Sequence, residues 1–308
     1  MDLRGGKMAA YKITAENGQA TRTYWVTATQ EPFYGSGTAE DPYRIETADD
    51  LVALAKNSQK EPYRSAYYKQ TEDLDMTGKS MNSIGGANTT YGFAGIYDGN
   101  GKTISNLNVP YLFNAVTGEI RDLTLAESCT FKNASVARWL VGGKVINCKN
   151  YGSILPTFNG TDWSNNANAG GIVQIAERGA EILGCKNYGK IEIQSDKTNF
   201  SRIGGIAASI SNVTIRNCHN YGSLNAGKPA EGYHGSTGNY AGGIVGEVRT
   251  SSTYKGSTQI IGCSNRGSVT AGGYVGGIVG YLNNKDGKVH NCYNYGSVQN
   301  GGGNYCGA

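Results

Sequence analysis

A histidine, a cysteine and two tyrosines fall within six residues near the end of the chain: His290, Cys292, Tyr293 and Tyr295. Imidazole nitrogen and thiolate sulfur are preferred zinc ligands, and a cysteine in a basic environment can be a reactive thiol. The first question is whether this segment binds a metal or carries out thiol chemistry.

The best acidic cluster is Glu72, Asp73 and Asp75 in the segment TEDLDM, which occurs once. Carboxylates could act in general acid–base catalysis or bind calcium, and a polysaccharide lyase or glycosidase needs such groups on one face. The other acidic residues are scattered, and none of the 3 histidines belongs to a pattern that suggests a catalytic triad. The sequence therefore predicts that the chain is not an enzyme, with a polysaccharide-active enzyme as the alternative.

Composition argues against several other classes of protein. Glycine is abundant, 46 of 308 residues, but the 6 prolines are too few for collagen or a proline-rich linker. The net charge is only +4 and no basic block occurs, which argues against a nucleic-acid partner. No apolar run approaches the roughly 18 residues that a membrane-spanning helix needs. The start, MDLRGGKMAAYKIT, lacks a signal-peptide core, so the chain is either cytosolic or without its export signal.

The segment around Cys292 is one of five copies of an internal repeat. Each copy has an aliphatic residue three positions before the cysteine, asparagine two after it, glycine four after it and another aliphatic residue six after it. The copies are VINCKNYGSI (145–154), ILGCKNYGKI (182–191), IRNCHNYGSL (215–224), IIGCSNRGSV (260–269) and VHNCYNYGSV (289–298). The cysteines lie 37, 33, 45 and 29 residues apart. A repeat of about 29 residues with polar insertions of variable length is typical of a solenoid.

The repeat predicts β-strands, because double glycines and the lack of a helical period argue against helices. The cysteine, asparagine, glycine and final aliphatic residue recur at every second position, so all four should point inward. The first aliphatic residue is out of phase with this set, and the chain must therefore bend just before the cysteine. These features predict an all-β fold, a single-stranded parallel β-helix whose coils hydrogen-bond to one another at a spacing of about 4.8 Å.

Stacked coils would turn the repeated residues into columns along the axis. The cysteine column consists of Cys148, Cys185, Cys218, Cys263 and Cys292. We expect free, buried thiols, because parallel side chains point alongside one another; disulfides and a metal are the alternatives, and 7 cysteines cannot all pair within the chain. The histidines do not recur at one position, so we expect neither a metal nor a cofactor.

A column of asparagines follows the cysteines: Asn150, Asn187, Asn220, Asn265 and Asn294. An inward amide at a tight turn can hydrogen-bond to the backbone of its own turn and to its counterpart one coil away. The glycine two residues later is expected either at positive φ or where neighbouring coils approach too closely for a Cβ atom.

The two ends of the chain differ from the repeat. Residues 11–28 predict two strands joined at Asn17-Gly18, a strong hairpin signal, and we assign residues 1–34 to this unit. The tail GGGNYCGA restarts the repeat, so we expect the natural polypeptide to continue beyond Ala308.

The β-helix is assigned to residues 35–308, with an entry segment at 35–66. A helix is predicted near 48–57, with Thr47 as its N-cap and Asp50 completing a capping box. This helix would cover the first coil, whose open edge would otherwise invite aggregation. The segments expected to form irregular early coils are 67–76, 93–109 and 111–125.

Four features of the sequence point to a known family. They are the GGIVG blocks at 242–246 and 276–280, the NCxNxGxV-type blocks, the segment FAGIYDGNGKTISNL and the opening GTAEDPYRI. Over roughly residues 35–308 the chain resembles the GLUG-motif family of bacterial surface proteins. The segment YKITAENGQATRTYWVTATQ resembles the last two strands of an immunoglobulin-like module found in surface proteins of gut anaerobes. The resemblance implies a right-handed β-helix, export, cell-surface display and an adhesive or spacer role, sometimes joined to peptidases, and it implies no catalytic residues.

The predicted function is that of a surface-exposed adhesin, binding module or stalk for a host or dietary glycan or protein, and further domains of the same polypeptide are possible partners. The candidate surface is the outward position three residues after each cysteine: Tyr151, Tyr188, Tyr221, Arg266 and Tyr295. Stacked at coil spacing, the tyrosines would form a ladder of aromatic faces, which sugars and protein loops use. Aromatic residues of the insertions, including Trp163 and Tyr233, are a second candidate surface. The alternatives are tyrosines that only stabilise the sheet, and a passive spacer.

Overall fold

A computed structural model describes residues 8–14, 17–19, 21–27, 32–157, 167–193, 201–227, 239–250, 256–301 and 305–307. Its strands pair in parallel from coil to coil and form sheets that run along one axis. The protein is a right-handed parallel β-helix with one helix near its start and a separate antiparallel hairpin, which confirms the predicted fold class.

The hairpin consists of β1 (Met8–Thr14) and β2 (Thr21–Thr27), paired antiparallel over their whole length. Gly18 adopts a φ of 70° in the connection, a conformation that glycine takes without strain. The assignment of residues 1–34 to an immunoglobulin-like module stays a prediction, as does the division of the chain after residue 34.

Helix α1 (Ala48–Asn57) begins with the predicted capping box. The Asp50 N–H donates to Thr47 Oγ1 (3.2 Å), and the Thr47 N–H donates to Asp50 Oδ2 (2.8 Å). Two donors that would otherwise be unpaired at the helix start are thereby satisfied. Leu51 and Leu54 are fully buried and join the apolar core that continues through the solenoid.

Each complete coil passes through four sheets in turn, numbered here in that order. Within the described residues, the first sheet contains 13 strands: β3 (Tyr43–Ile45), β4 (Tyr67–Gln70), β6 (Ile96–Asp98), β9 (Phe113–Val116), β10 (Glu119–Arg121), β13 (Ala137–Val141), β14 (Lys144–Ile146), β18 (Val173–Leu183), β22 (Ala207–Arg216), β26 (Val245–Arg249), β27 (Gln259–Ile261), β31 (Val279–Asn283) and β32 (Lys288–His290).

The second and third sheets consist mostly of two-residue strands. Over the part of the chain that the structure describes, the second has 8 strands: β5 (Leu74–Asp75), β7 (Thr103–Ser105), β11 (Thr124–Leu125), β15 (Lys149–Asn150), β19 (Lys186–Asn187), β23 (His219–Asn220), β28 (Ser264–Asn265) and β33 (Tyr293–Asn294). The third, counted over the same ranges, has 7: β8 (Asn108–Val109), β12 (Thr130–Phe131), β16 (Ser153–Ile154), β20 (Ile191–Glu192), β24 (Leu224–Asn225), β29 (Val269–Ala271) and β34 (Val298–Asn300).

The fourth sheet closes the later coils. Its described strands number 5: β17 (Ala167–Gly170), β21 (Ser201–Gly204), β25 (Tyr240–Gly242), β30 (Tyr274–Gly276) and β35 (Tyr305–Gly307). The longer insertions after β16, β20 and β24 all leave the coil between the third and fourth sheets. Between β29 and β30 the same corner is crossed by Gly272 and Gly273 alone.

The predicted bend before each cysteine is a left-handed residue between the first and second sheets. The residues at this position have φ angles between 51° and 65°: Asn147, Gly184, Asn217, Gly262 and Asn291. Asparagine and glycine are the residues that adopt this conformation most readily. The bend is therefore confirmed, and it explains why the inward period restarts at the cysteine.

The repeated glycines four residues after the cysteines are required by close approach of the coils and not by positive φ. A Cβ atom on Gly189 would lie 1.9 Å from the carbonyl oxygen of Gly152, and one on Gly222 would lie 2.0 Å from that of Gly189. Their φ angles lie outside the left-handed region. Of the two expectations for these glycines, the second is therefore correct.

Candidate functional site

The outer surface of the second sheet carries an ordered row of side chains, here called the tyrosine face. It consists of Tyr151, Tyr188, Tyr221, Arg266 and Tyr295. Each of these residues follows the repeat asparagine of a two-residue strand, so strand alternation turns its side chain outward. The parallel pairing of β15, β19, β23, β28 and β33 brings residues from distant repeats onto adjacent coils.

A row of buried amides lies beneath the tyrosine face. Asn187 Nδ2 donates to the carbonyl oxygen of Gly189 (2.9 Å) and to Asn220 Oδ1 (2.9 Å). The same pair of bonds, 2.8–2.9 Å long, recurs for Asn150, Asn220 and Asn265, and it ends at Asn294. Because each amide binds both its own turn and the next coil, this sheet is held in one geometry.

The tyrosine rings stack face to face along the axis. The ring centroids of Tyr151 and Tyr188 are 4.5 Å apart with the planes inclined by 3°, and those of Tyr188 and Tyr221 are 4.6 Å apart and inclined by 6°. The rings therefore cover one another's faces, and the surface presents ring edges and hydroxyl groups. Burial, followed by the neighbouring Tyr151 and Tyr221, raises the pKa of the Tyr188 phenol. The Tyr188 hydroxyl thus stays protonated at physiological pH.

Positive charge lies at the far end and along one side of this face. The guanidinium carbon of Arg266 is 4.7 Å from the centroid of the Tyr295 ring, a cation–π distance, and Tyr295 is 63% exposed. Lys149 and Lys186 are register partners on β15 and β19. Among the described residues, neither lysine has a carboxylate within ion-pair distance.

His219 and Ser264 form a pair that the sequence reasoning missed. His219 Nδ1 lies 2.8 Å from Ser264 Oγ across adjacent coils, beside the tyrosine face. Burial lowers the pKa of His219, and the charges of Lys186 and Arg266 lower it further. Both residues occupy the position directly after the repeat cysteine, and this shared offset is the signal that could have paired them.

A hydroxyl bonded to a neutral imidazole is the geometry of a nucleophile and its base. The neighbouring backbone donors are engaged in the sheet, because the Ser264 N–H donates to the Cys218 carbonyl (3.1 Å) and the Arg266 N–H to that of Asn220 (2.7 Å). Charge that developed on a bound carbonyl would therefore have to be stabilised by the Arg266 guanidinium or by tyrosine hydroxyls.

The repeat cysteines are free thiols at equivalent inward positions of successive coils. Cys148, Cys185, Cys218 and Cys263 are fully buried, and Cys292 in the last described coil is half-buried. Burial raises the pKa of the Cys185 and Cys218 thiols well above the ordinary value. Cys185 and Cys218 are therefore poor nucleophiles and poor metal ligands. Within the described ranges, no three His, Cys, Asp or Glu side chains are arranged to hold a metal ion.

The aspartates of the acidic segment form hydrogen bonds within their own coil and to the next early coil. Asp75 Oδ1 accepts hydrogen bonds from the Thr77 N–H (2.9 Å) and Asn106 Nδ2 (2.7 Å), and Asp73 Oδ1 accepts one from the Thr103 N–H (2.7 Å). The bonds from Asn106 and Thr77 lower the pKa of Asp75. Trp163 and Tyr233, the candidates in the insertions, lie outside the described residues.

The fold and this face define the class of the protein as a right-handed parallel β-helix with a preformed outer row of tyrosines and cations. No family model matches the chain. A stretch of 162 residues is 33% identical to halomucin of Haloquadratum walsbyi (strain DSM 16790 / HBSQ001), covering 48% of this chain and 2% of halomucin. The chain thus matches only a small part of that protein's length.

Two solved structures share the fold. One is a candidate immunoglobulin A1 protease from Bacteroides ovatus, with a TM-score of 0.65 and 19% identity, covering 88% of this chain and 86% of that one. The other, named IgA1 Protease, has a TM-score of 0.51 and 16% identity, covering 94% of this chain and 24% of that one. At these identities the likeness shows the fold.

The comparisons correct one prediction. The sequence predicts that the chain is not an enzyme, whereas both structural neighbours bear the names of proteases. The exclusion of enzymatic activity is therefore wrong. It rested on the absence of a catalytic pattern within short stretches of sequence, and folding brings together residues that such stretches cannot reveal.

Within the described residues no helix has the length and apolar character to cross a bilayer.

Proposed function

We propose that this chain is the β-helical region of an exported, surface-displayed protein of the immunoglobulin A1 protease kind, and that its tyrosine face binds the glycans of a glycoprotein. The observation that carries the proposal is the exposed row of tyrosine edges and hydroxyls with cations beside it. Export is supported by the similarity to a protein named as a mucin, since mucins are secreted or surface proteins.

The geometry of the tyrosine face suits polyhydroxylated ligands better than flat apolar ones. Stacked rings, with centroids 4.5 and 4.6 Å apart, leave few open faces for sugars to stack on, but their hydroxyls can both donate and accept hydrogen bonds. Lys149, Lys186 and Arg266 add donors for sugar oxygens and attraction for acidic groups. The buried amides keep these groups in place, so little entropy is lost on binding.

Binding to immobilised immunoglobulin A1, before and after enzymatic removal of its glycans, tests this proposal by biolayer interferometry. The variant Tyr151→Ala/Tyr188→Ala should weaken binding by about fivefold or more in Kd, the effect expected of interface anchors. Tyr91→Ala is the matched control, because Tyr91 is 53% exposed and lies outside the tyrosine face.

Circular dichroism must show that the variants remain folded. The proposal fails if the chain does not bind the glycosylated protein, if removal of the glycans leaves binding unchanged, or if the control variant loses as much affinity as the double variant.

A second candidate function is acyl hydrolysis, favoured by the 2.8 Å contact between His219 Nδ1 and Ser264 Oγ together with the protease names of the structural neighbours. Ser264 Oγ would attack an acyl carbonyl as its proton passes to His219, which would then return the proton to the leaving group; water would release the acyl group. A fluorophosphonate probe should label the wild-type chain and not Ser264→Ala, and labelling should fall strongly in His219→Ala. Equal labelling of all three proteins would exclude this role.

A further inference from the structure

A cleft of about 470 Å³ lies at the opposite end of the solenoid from the last repeats, against the first sheet. Its walls come from the loop 39–42 and from the start of the first sheet, including Arg44 on β3 and Lys69 on β4. This volume lies in the range of small-molecule sites. The cleft is far along the chain from the tyrosine face and forms a separate site.

Two positively charged side chains, those of Arg44 and Lys69, lie side by side in this cleft. Arg44 and Lys69 are direct register partners on adjacent parallel strands, and like charges in such positions repel each other. Throughout the described residues, neither makes an ion pair with a carboxylate. Asp98, the next register partner, is held by Arg121 through its Nε (3.2 Å) and Nη2 (2.9 Å) atoms. An anion placed between Arg44 and Lys69 would relieve the repulsion.

The cleft is also lined by two carboxylates. Glu40 and Asp41 are exposed on the loop, which is fixed because the Ser36 and Gly37 N–H groups donate to the Asp41 carbonyl oxygen (3.1 and 3.0 Å). The carboxylates can accept hydrogen bonds from ligand hydroxyls. Tyr67, half-buried on β4, adds an aromatic side chain to the lining.

One polar group in the wall has no partner. Thr71 Oγ1 is buried and makes no hydrogen bond to any group that the structure describes. A hydroxyl that is kept from water without a partner is destabilising. Because Thr71 lines the cleft, a bound ligand could supply the missing partner.

We propose that this cleft binds a small acidic sugar. Its carboxylate or sulfate would lie between Arg44 and Lys69, its hydroxyls would donate to Glu40 and Asp41, and its ring would pack on Tyr67. A neutral sugar lacks the anionic group, and a simple anion lacks the hydroxyls. The cleft therefore selects for both features in one molecule. This site is independent of the tyrosine face and adds a second contact with ligand.

Isothermal titration calorimetry on the whole chain tests the proposal with glucuronic acid, glucose, acetate and glycine as probes. Glucuronic acid should bind at least about tenfold more tightly than each of the other three, because it alone has both the anion and the hydroxyls. This fold-change corresponds to about 1.4 kcal/mol. Glucuronic acid that fails to bind, or any other probe that matches it, overturns the proposal; a match by glycine would mean a site for zwitterions.

Lys69→Gln and Arg44→Gln should each weaken glucuronic acid binding by about tenfold. Lys132→Gln is the matched control, because Lys132 is likewise an exposed lysine without an ion pair among the described residues, and it follows β12 of the third sheet. Melting temperatures establish that the variants are folded, and the selectivity of the wild-type chain among the probes stands without any variant. Unchanged affinity in both the Lys69→Gln and Arg44→Gln variants, or equal loss in Lys132→Gln, contradicts the assignment.

Discussion

The buried row of asparagines allows a stability change to be worked out from the structure. Asn187 donates to the carbonyl of Gly189 and to Asn220 Oδ1, and its own Oδ1 accepts from Asn150 Nδ2, each at 2.9 Å. Asn187→Ala removes three hydrogen bonds worth about 1 kcal/mol each, and it leaves buried polar atoms without partners, at a further cost of about 1–2 kcal/mol. We expect a total loss of about 4–5 kcal/mol in the free energy of unfolding.

The other end of the same row supplies the comparison. Asn294 is only half-buried and makes one donated bond, to the Gly296 carbonyl, besides the one it accepts from Asn265. Water can replace these bonds, so Asn294→Ala should cost about 1 kcal/mol. Urea denaturation followed by far-UV circular dichroism measures both changes. Because a solenoid can unfold in parts, hydrogen–deuterium exchange should show where protection is lost.

Asn187→Asp separates hydrogen bonding from packing, because the side chain keeps its shape. The new carboxylate oxygen would face the carbonyl of Gly189 and Asn220 Oδ1, both of which are acceptors. A buried charge without donors is costlier than a missing side chain. The aspartate variant should therefore be less stable than the alanine variant. Equal losses at positions 187 and 294, or an aspartate variant as stable as wild type, would refute the argument.

Three further predictions follow from single contacts. Gly189→Ala should destabilise the chain by more than about 2 kcal/mol in urea denaturation, since its Cβ would lie 1.9 Å from a backbone carbonyl oxygen. Gly78 has a φ of 71° and open space around it, so Gly78→Ala should cost about 1 kcal/mol. Equal costs for the two variants would contradict the close approach of the coils at Gly189. Thr47→Ala should lower stability by about 1 kcal/mol through loss of the helix cap, and Thr47→Ser should restore it. His219 has a lowered pKa in the folded chain, so its contribution to stability is complete above the ordinary histidine pKa of about 6.5 and is lost as the pH falls below it. The melting temperature should therefore drop less on acidification in His219→Asn than in wild type, and an identical pH dependence would exclude a lowered pKa.

The regular part of the fold could be predicted from spacing alone. Inward residues at every second position fix the side of the sheet on which each side chain lies, and a phase break before the cysteine requires a bend. The structure has both the inward alternation and the bend, and the bend is formed by left-handed residues such as Asn147 and Asn217. The capping box of α1 could also be predicted from the sequence, because Thr47 and Asp50 are only three residues apart and bond to each other's backbone. In each case the physical cause lies within one repeat or one helical turn.

Other features depend on what adjacent coils place side by side. Spacing along the chain shows that the tyrosines point outward, but it does not show that their rings lie nearly parallel and cover one another's faces. The pair His219 and Ser264 lies in repeats of unequal length, so it becomes visible only when the insertions are set aside. The cleft beside Arg44 and Lys69 lies in the irregular early coils, where no repeat aligns the residues.

The corner between the third and fourth sheets has a consequence for protein engineering. Natural insertions after β16, β20 and β24 leave the frame at one edge and return to it without disturbing the register of the strands on either side. In the next coil the same junction is only Gly272-Gly273. A foreign peptide grafted between these glycines would begin and end one coil away from the strands that flank the insertion after β24. The solenoid is thus a scaffold into which epitopes or enzymes could be inserted at fixed intervals along its axis.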